Sequence, residues 1–121
     1  EGRCHYVDVR DVARMLLHCC KSDAADGEIF NCCAPHSVTG QELAEIIRKY
    51  YPGIEVETGF AWSMAQGGKI AFSMNKAREL MGYEPRYDMD ASIANIKSWI
   101  DAGGLEGGVR REENYGEGIR Q

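Results

Sequence analysis

Apolar side chains recur at Val12, Met15, Leu16 and Cys19, the i, i+3, i+4, i+7 spacing that puts them along one side of an α-helix. Asp11 precedes them as a capping residue, and Lys21 closes the run ahead of the polar stretch Ser22-Asp23-Ala24-Ala25-Asp26-Gly27. The pattern predicts a helix with one face to bury. Upstream, Tyr6-Val7-Asp8-Val9-Arg10 reads as a strand running straight into that helix. Downstream, Glu28-Ile29-Phe30-Asn31-Cys32 reads as a short strand and Ala34-Pro35-His36-Ser37 as the loop after it. Strand and loop together make a ligand-facing edge.

The clearest helix start is Thr39-Gly40-Gln41-Glu42. It has the form of a capping box, in which a hydroxyl and a carboxylate satisfy amide donors that the first turn leaves open. Leu43, Ile46, Ile47 and Tyr50 form its apolar stripe, Pro52-Gly53 stops it, and Ile54-Glu55-Val56-Glu57 alternates as a half-exposed strand should. Thr58 to Lys69 has no period but carries Phe60, Trp62 and Met64, as expected of a loop that covers something. After a brief strand at Ile70-Ala71-Phe72, Ser73 caps a short helix with Met74, Ala77, Leu80 and Met81 inward, and Gly82 supplies the left-handed stop. Tyr83 to Tyr87 is an extended connection. Met89, Ile93, Ile96 and Ile100 mark the last helix, which ends at Ala102-Gly103-Gly104. Trp62 and Trp99 are read as packing residues rather than stacking platforms.

Composition narrows the function classes. With 121 residues the chain supports one core. Its 44% apolar and 27% charged content is that of an ordinary soluble protein, and the net charge of −5 argues against a phosphate-backbone binder, so no nucleic acid is expected as a partner. No apolar run reaches the roughly 20 residues of a membrane span. Cys4, Cys19, Cys20, Cys32 and Cys33 are odd in number and hold no Cys-x-x-Cys spacing, which suits reduced thiols in a cytoplasm. Neighbours on a strand point to opposite faces, so Cys32 and Cys33 do not converge on one ion and no metal is expected.

Taken in order, these pieces resemble the C-terminal portion of an extended short-chain dehydrogenase/reductase, of the NAD-dependent epimerase/dehydratase family. The opening Tyr6-Val7-Asp8-Val9-Arg10-Asp11-Val12-Ala13 is similar to the family's aromatic-Val-x-Val-x-Asp-Val-Ala segment, and Gly27-Glu28-Ile29-Phe30-Asn31 to its Gly-Glu-x-Phe-Asn strand. Thr39 with Glu42-Leu43-Ala44 resembles the helix start that follows. Ser73 to Pro85, with the helix ending Ser98-Trp99-Ile100, resembles the family's closing Ser-Lys-Ala-x-x-x-Leu-Gly-aromatic-x-Pro pattern. The likeness spans roughly Tyr6 to Leu105. It implies an α/β fold of about four helices and three or four short strands, with the Rossmann half missing. Residues 1–105 would form the substrate-binding lobe and 106–121 a mobile tail.

The resemblance implies a parent enzyme that uses NAD or NADP on a small-molecule substrate, a nucleotide sugar first, with epimerase or dehydratase chemistry. Ketone or aldehyde reduction of the dihydroflavonol reductase kind is the alternative, because Val-Asp-Val-Arg-Asp-Val-Ala also resembles that branch. This chain contains neither the family's glycine-rich cofactor turn nor a Tyr-x-x-x-Lys pair at any of its tyrosines. It is therefore expected to bind no cofactor by itself and to be catalytically silent, whether it is a natural truncation, an expressed piece or a proteolytic remnant. The substrate side implied for it comprises Arg3, His5 and Asp8 at the opening strand and Asn31, Pro35 and His36 after the second. Nucleotide-sugar members place an arginine just before the opening strand to grip a diphosphate. Arg3 sits one residue too far from Asp11 for that pattern, and a one-residue shift turns a strand side chain to the other face. A non-enzymatic reading also stands, in which a small domain forms a homodimer or binds a partner through the surface left by the missing half.

Overall fold

A computed structural model describes residues 2–57 and 71–104. Among them the chain is a small mixed α/β unit with four helices and two strands. β1 (Arg3–Cys4) pairs antiparallel with β2 (Val38–Thr39), Arg3 opposite Thr39 and Cys4 opposite Val38. The helices are α1 (Val9–Lys21), α2 (Gly40–Tyr50), α3 (Asn75–Met81) and α4 (Met89–Asp101), and a short 3-10 turn at Asp23–Ala25 follows α1.

Side-chain caps set the helix starts. Asp8, not Asp11, caps α1 and accepts from the Arg10 N–H at 2.9 Å, so the helix begins earlier than the sequence suggests and Asp11 falls inside its first turn. The capping box on α2 is complete: the Glu42 N–H donates to Thr39 Oγ1 at 3.1 Å and the Thr39 N–H to Glu42 Oε2 at 2.7 Å. Asp88 caps α4 through the Ala91 N–H. The Ser73 hydroxyl accepts from the Asn75 N–H, although α3 starts one residue later than a Ser73 cap would place it. Gly82 ends α3 at φ +62°, a conformation that glycine reaches without the steric cost of a Cβ.

Strand content is lower than expected. Residues 6–8, 28–32, 54–57 and 71–72 lie in neither helix nor ladder, and among the described residues the one ladder lies at 3–4 and 38–39. A strand needs a neighbour to satisfy its backbone, and among the described residues these segments have none beside them in register. The remaining expectations for Thr58 to Ile70, and for the tail from Leu105, lie outside the described residues.

The core is compact in membership: Met15, Cys33, Met74, Ala77 and Tyr83 are buried, with Cys19, Phe30, Cys32 and Met81 packed against them. α2 packs on α4, where the Tyr50 hydroxyl and Lys49 Nζ both donate to the Asp90 carboxylate. Three expected core positions are not core. Leu16 is 61% exposed, because α1 turns its Asp11–Met15 side inward and leaves Leu16 on the other, and Ile96 and Leu80 are also exposed. Trp99 is half exposed rather than packed away.

Candidate functional site

Asp11 is fully buried and organises the junction between the start of α1 and the approach to α4. Its carboxylate accepts from the backbone N–H groups of Arg86 (2.9 Å) and Tyr87 (2.9 Å) and pairs with the Arg14 guanidinium at 2.5 Å. The Tyr83 hydroxyl, itself buried, donates to the Asp11 carbonyl at 2.9 Å. Burial pushes the Tyr83 phenol well above its ordinary range, so it stays a neutral donor. Asp8 completes the junction. It takes two charge-assisted bonds from Arg10, at 2.8 and 2.7 Å, and one from the Ser92 hydroxyl at 2.8 Å. The Arg10 hydrogen bond holds the Asp8 carboxyl far below the usual carboxylate range. Arg10 also lies 3.7 Å over the Tyr87 ring.

The six residues expected on the substrate side divide into two groups. Asp8 belongs to the junction just described, buried and saturated with hydrogen bonds. The other five lie along the edge built from β1, residues 31–36 and residues 71–73. Arg3 reaches across to the turn before α2, donating to Ser37 Oγ at 3.0 Å and to the Ser37 carbonyl at 2.5 Å, and it pairs with Glu42 at 3.1 Å. His5 uses both ring nitrogens on backbone: Nε2 lies 2.8 Å from the Ala34 carbonyl, and Nδ1 accepts from the Phe72 N–H at 3.0 Å. Asn31 donates to the Ser73 carbonyl at 3.2 Å. Cys33 Sγ adds a weak contact to the Phe72 carbonyl at 3.8 Å. Pro35 and His36 are exposed on the loop between these fasteners and β2.

The geometry thus gathers Arg3, His5, Asn31, Pro35 and His36 on one edge, and engages the first three with protein groups. His36 is the member of this set left on the open surface with a titratable side chain. Burial pushes the Cys32 and Cys33 thiols up, which keeps them protonated and poor nucleophiles. All five cysteines are free, and among the described residues no group of three or more His, Cys, Asp or Glu side chains converges as a metal site.

A dinucleotide pyrophosphate needs an open helix N-terminus with free N–H groups. Here the N-termini of α1, α2 and α4 are each closed by their own cap, and carboxylates stand at all three. A shallow groove of about 580 Å³ lies elsewhere, between the second half of α1 and the end of α3, lined by residues including Arg14, Leu17, His18, Lys21 and Leu80. Sequence reasoning did not find it, because it arises where two helices from distant parts of the chain meet.

Compared with family models, curated proteins and solved structures, the chain matches none. Among the described residues no helix is long and apolar enough to cross a membrane.

Proposed function

We propose that this chain is the substrate-side lobe of a NAD(P)-dependent epimerase/dehydratase, and that a separate lobe carries the cofactor. The observation that carries this reading is the apolar surface left facing outward. Val9 (75% exposed) and Leu16 lie seven residues apart on one side of α1, with Leu17 beside them, and Ile29 is 85% exposed on a segment that is neither helix nor ladder. Scattered single apolar residues need no explanation, but an apolar helix face together with an exposed apolar segment that joins no ladder is a surface built to be covered. A second lobe offering a sheet edge and a sheet face would cover both. The order and spacing of the four sequence motifs supply the identity of that lobe. The junction gives those motifs a shared physical reason, since Asp11 of the first grips the backbone that follows Tyr83 of the last.

In this reading the substrate meets the edge holding His5, Asn31, Pro35 and His36, and the substrate is a nucleotide sugar. A specific observation favours the second reading, reduction of a small ketone or aldehyde. The Arg3 guanidinium is held by Ser37 and Glu42, so gripping a diphosphate requires it to leave three contacts, whereas an uncharged carbonyl substrate asks for no such cation.

The test is the intact mass of the natural gene product, read beside its activity. A product of enzyme size that converts a nucleotide sugar to its epimer or its dehydrated keto sugar, with no net consumption of NADH or NADPH, supports the first reading, and one that oxidises NADH or NADPH with ketones or aldehydes supports the second. A natural product of 13.5 kDa without turnover overturns both. The isolated chain is expected to give no turnover with either cofactor.

A further inference from the structure

We propose that His5 is a proton-sensitive latch that fastens residues 71–73 to residues 31–34, an arrangement that goes beyond the substrate-lobe reading and does not depend on it. The latch is visible in the two ring nitrogens. Nδ1 can accept from the Phe72 N–H only through its lone pair, and the short approach of Nε2 to the Ala34 carbonyl requires a proton on Nε2. Both bonds form together in one state alone, the neutral ring with its proton on Nε2. The Phe72 ring lies stacked on the imidazole, 6.2 Å between centroids at 24°, so the same contact positions the Phe72 side chain.

Adding the second proton places an N–H on Nδ1 directly facing the N–H of Phe72. Two donors then meet with no acceptor between them, while the Nε2 bond to Ala34 is retained. The ring stays on the 31–34 side and Phe72 is released. Asn31 to Ser73 and Cys33 to the Phe72 carbonyl are the remaining fasteners, one a single neutral bond and the other a weak sulfur contact.

The titratable and charged groups beside His5 among the described residues sit on the segments that meet at the latch. On its own segment the titratable and charged neighbours are Arg3, Cys4 and Tyr6. Arg3 is itself cationic and paired with Glu42, and burial pushes Tyr6 up to about 12. The segment ending in Ala34 contributes Cys32 and Cys33, both pushed up by burial, with exposed His36 beyond it. Residues 71–73 contribute no titratable group, and β2 opposite Cys4 and Arg3 is Val38–Thr39. Among these described stretches there is no carboxylate; Asp8, three residues along the same segment, is engaged by Arg10 and Ser92, and Glu42 by Arg3.

Amide hydrogen exchange of the whole chain, followed between about pH 5 and pH 8 where histidine changes charge, tests the latch. The expected result is that exchange at Phe72, corrected for the intrinsic pH dependence of peptide amides, accelerates roughly fivefold on the same titration curve as the His5 ring signals. The Tyr83 amide, bonded to the Ala77 carbonyl, should stay protected and shows that the fold persists. In His5→Asn the side-chain carbonyl can accept from Phe72 but does not titrate, so the acceleration should vanish. Constant protection of Phe72 through the His5 titration overturns the proposal. So does an unchanged pH response in His5→Asn, which would assign the effect to another group. If that variant does not fold, the wild-type curves alone decide, because the ring and amide titrations must coincide.

Discussion

Around Asp11 the polar groups are shut away from water and fully engaged, whereas at the edge of Arg3, His5 and residues 31–36 they stand half in solvent while making as many contacts. Asp11 is fully buried, receives N–H groups from Arg86 and Tyr87, and carries Arg14 beside it. Arg3 holds Ser37 twice and Glu42 once with a side chain 36% exposed. Similar counts of bonds have different consequences. Where water is excluded, losing one partner strands the others, and where water is present it replaces them. The junction is therefore a structural lock, and of the two regions the edge is the one where contacts can be exchanged at lower cost.

The sharpest way to break that contrast is Asp11→Ala. It removes the acceptor for two backbone N–H groups and leaves Arg14 without its buried counter-ion, so unfolding free energy should fall by about 3–5 kcal/mol. Urea denaturation checks this. A loss below the size of an ordinary surface substitution would mean that water reaches the junction and that the lock does not exist.

Acid should reach the same junction through Asp8. Its folded-state pKa is depressed below the ordinary 3.8, chiefly by the Arg10 hydrogen bond. The stabilisation is therefore complete above 3.8 and is lost as pH falls from there through the folded value. The expected contribution is about 2 kcal/mol, and Asp8→Asn should flatten the fall in urea midpoint below pH 4. An equally steep fall in that variant would assign the acid sensitivity elsewhere.

Tyr83→Phe is smaller, since it deletes one neutral donor and leaves the ring packed. A loss of about 1 kcal/mol is expected, with the Asp11 carbonyl left short of its partner. A neutral result would show that the carbonyl finds another donor.

Locality governs what could be read in advance. The capping box at Thr39–Glu42 and the left-handed Gly82 were legible because each is fixed within four residues of chain. The role of Asp11 was not: it looked like a cap, but the backbone it serves lies 75 residues away. Helical periodicity placed Val12, Met15, Leu16 and Cys19 on one stripe but could not say where the stripe ends, and the structure buries Met15 while turning Leu16 out. The expected strand at Glu28–Cys32 has strand composition but joins no ladder, since pairing depends on a neighbour that the local sequence does not supply. The resemblance groups Arg3, His5, Asp8, Asn31, Pro35 and His36, whereas the structure sets Asp8 in the junction and leaves the other five along the edge. The resemblance could not anticipate that His5 and Asn31 hold residues 71–73, because that contact joins segments about 40 or more residues apart.

Arg3 gives the smallest expected effect on stability and the most direct reading of the edge. Its ion pair with Glu42 is solvent-exposed, so Arg3→Met should shift the unfolding free energy by no more than about 1 kcal/mol. The informative measurement is a titration of the variant and the parent chain with a nucleoside diphosphate sugar. If the guanidinium can leave Ser37 and Glu42 for a diphosphate, the charge-assisted bonds it makes there should be worth about tenfold in affinity, and the variant loses them. If Arg3 serves only to pin β1 to the start of α2, the two titrations coincide while the small stability change remains. The second outcome would shift the substrate reading towards uncharged carbonyl compounds, because the edge would then hold no cation poised for phosphate and would bind through shape and the exposed Pro35-His36 loop instead.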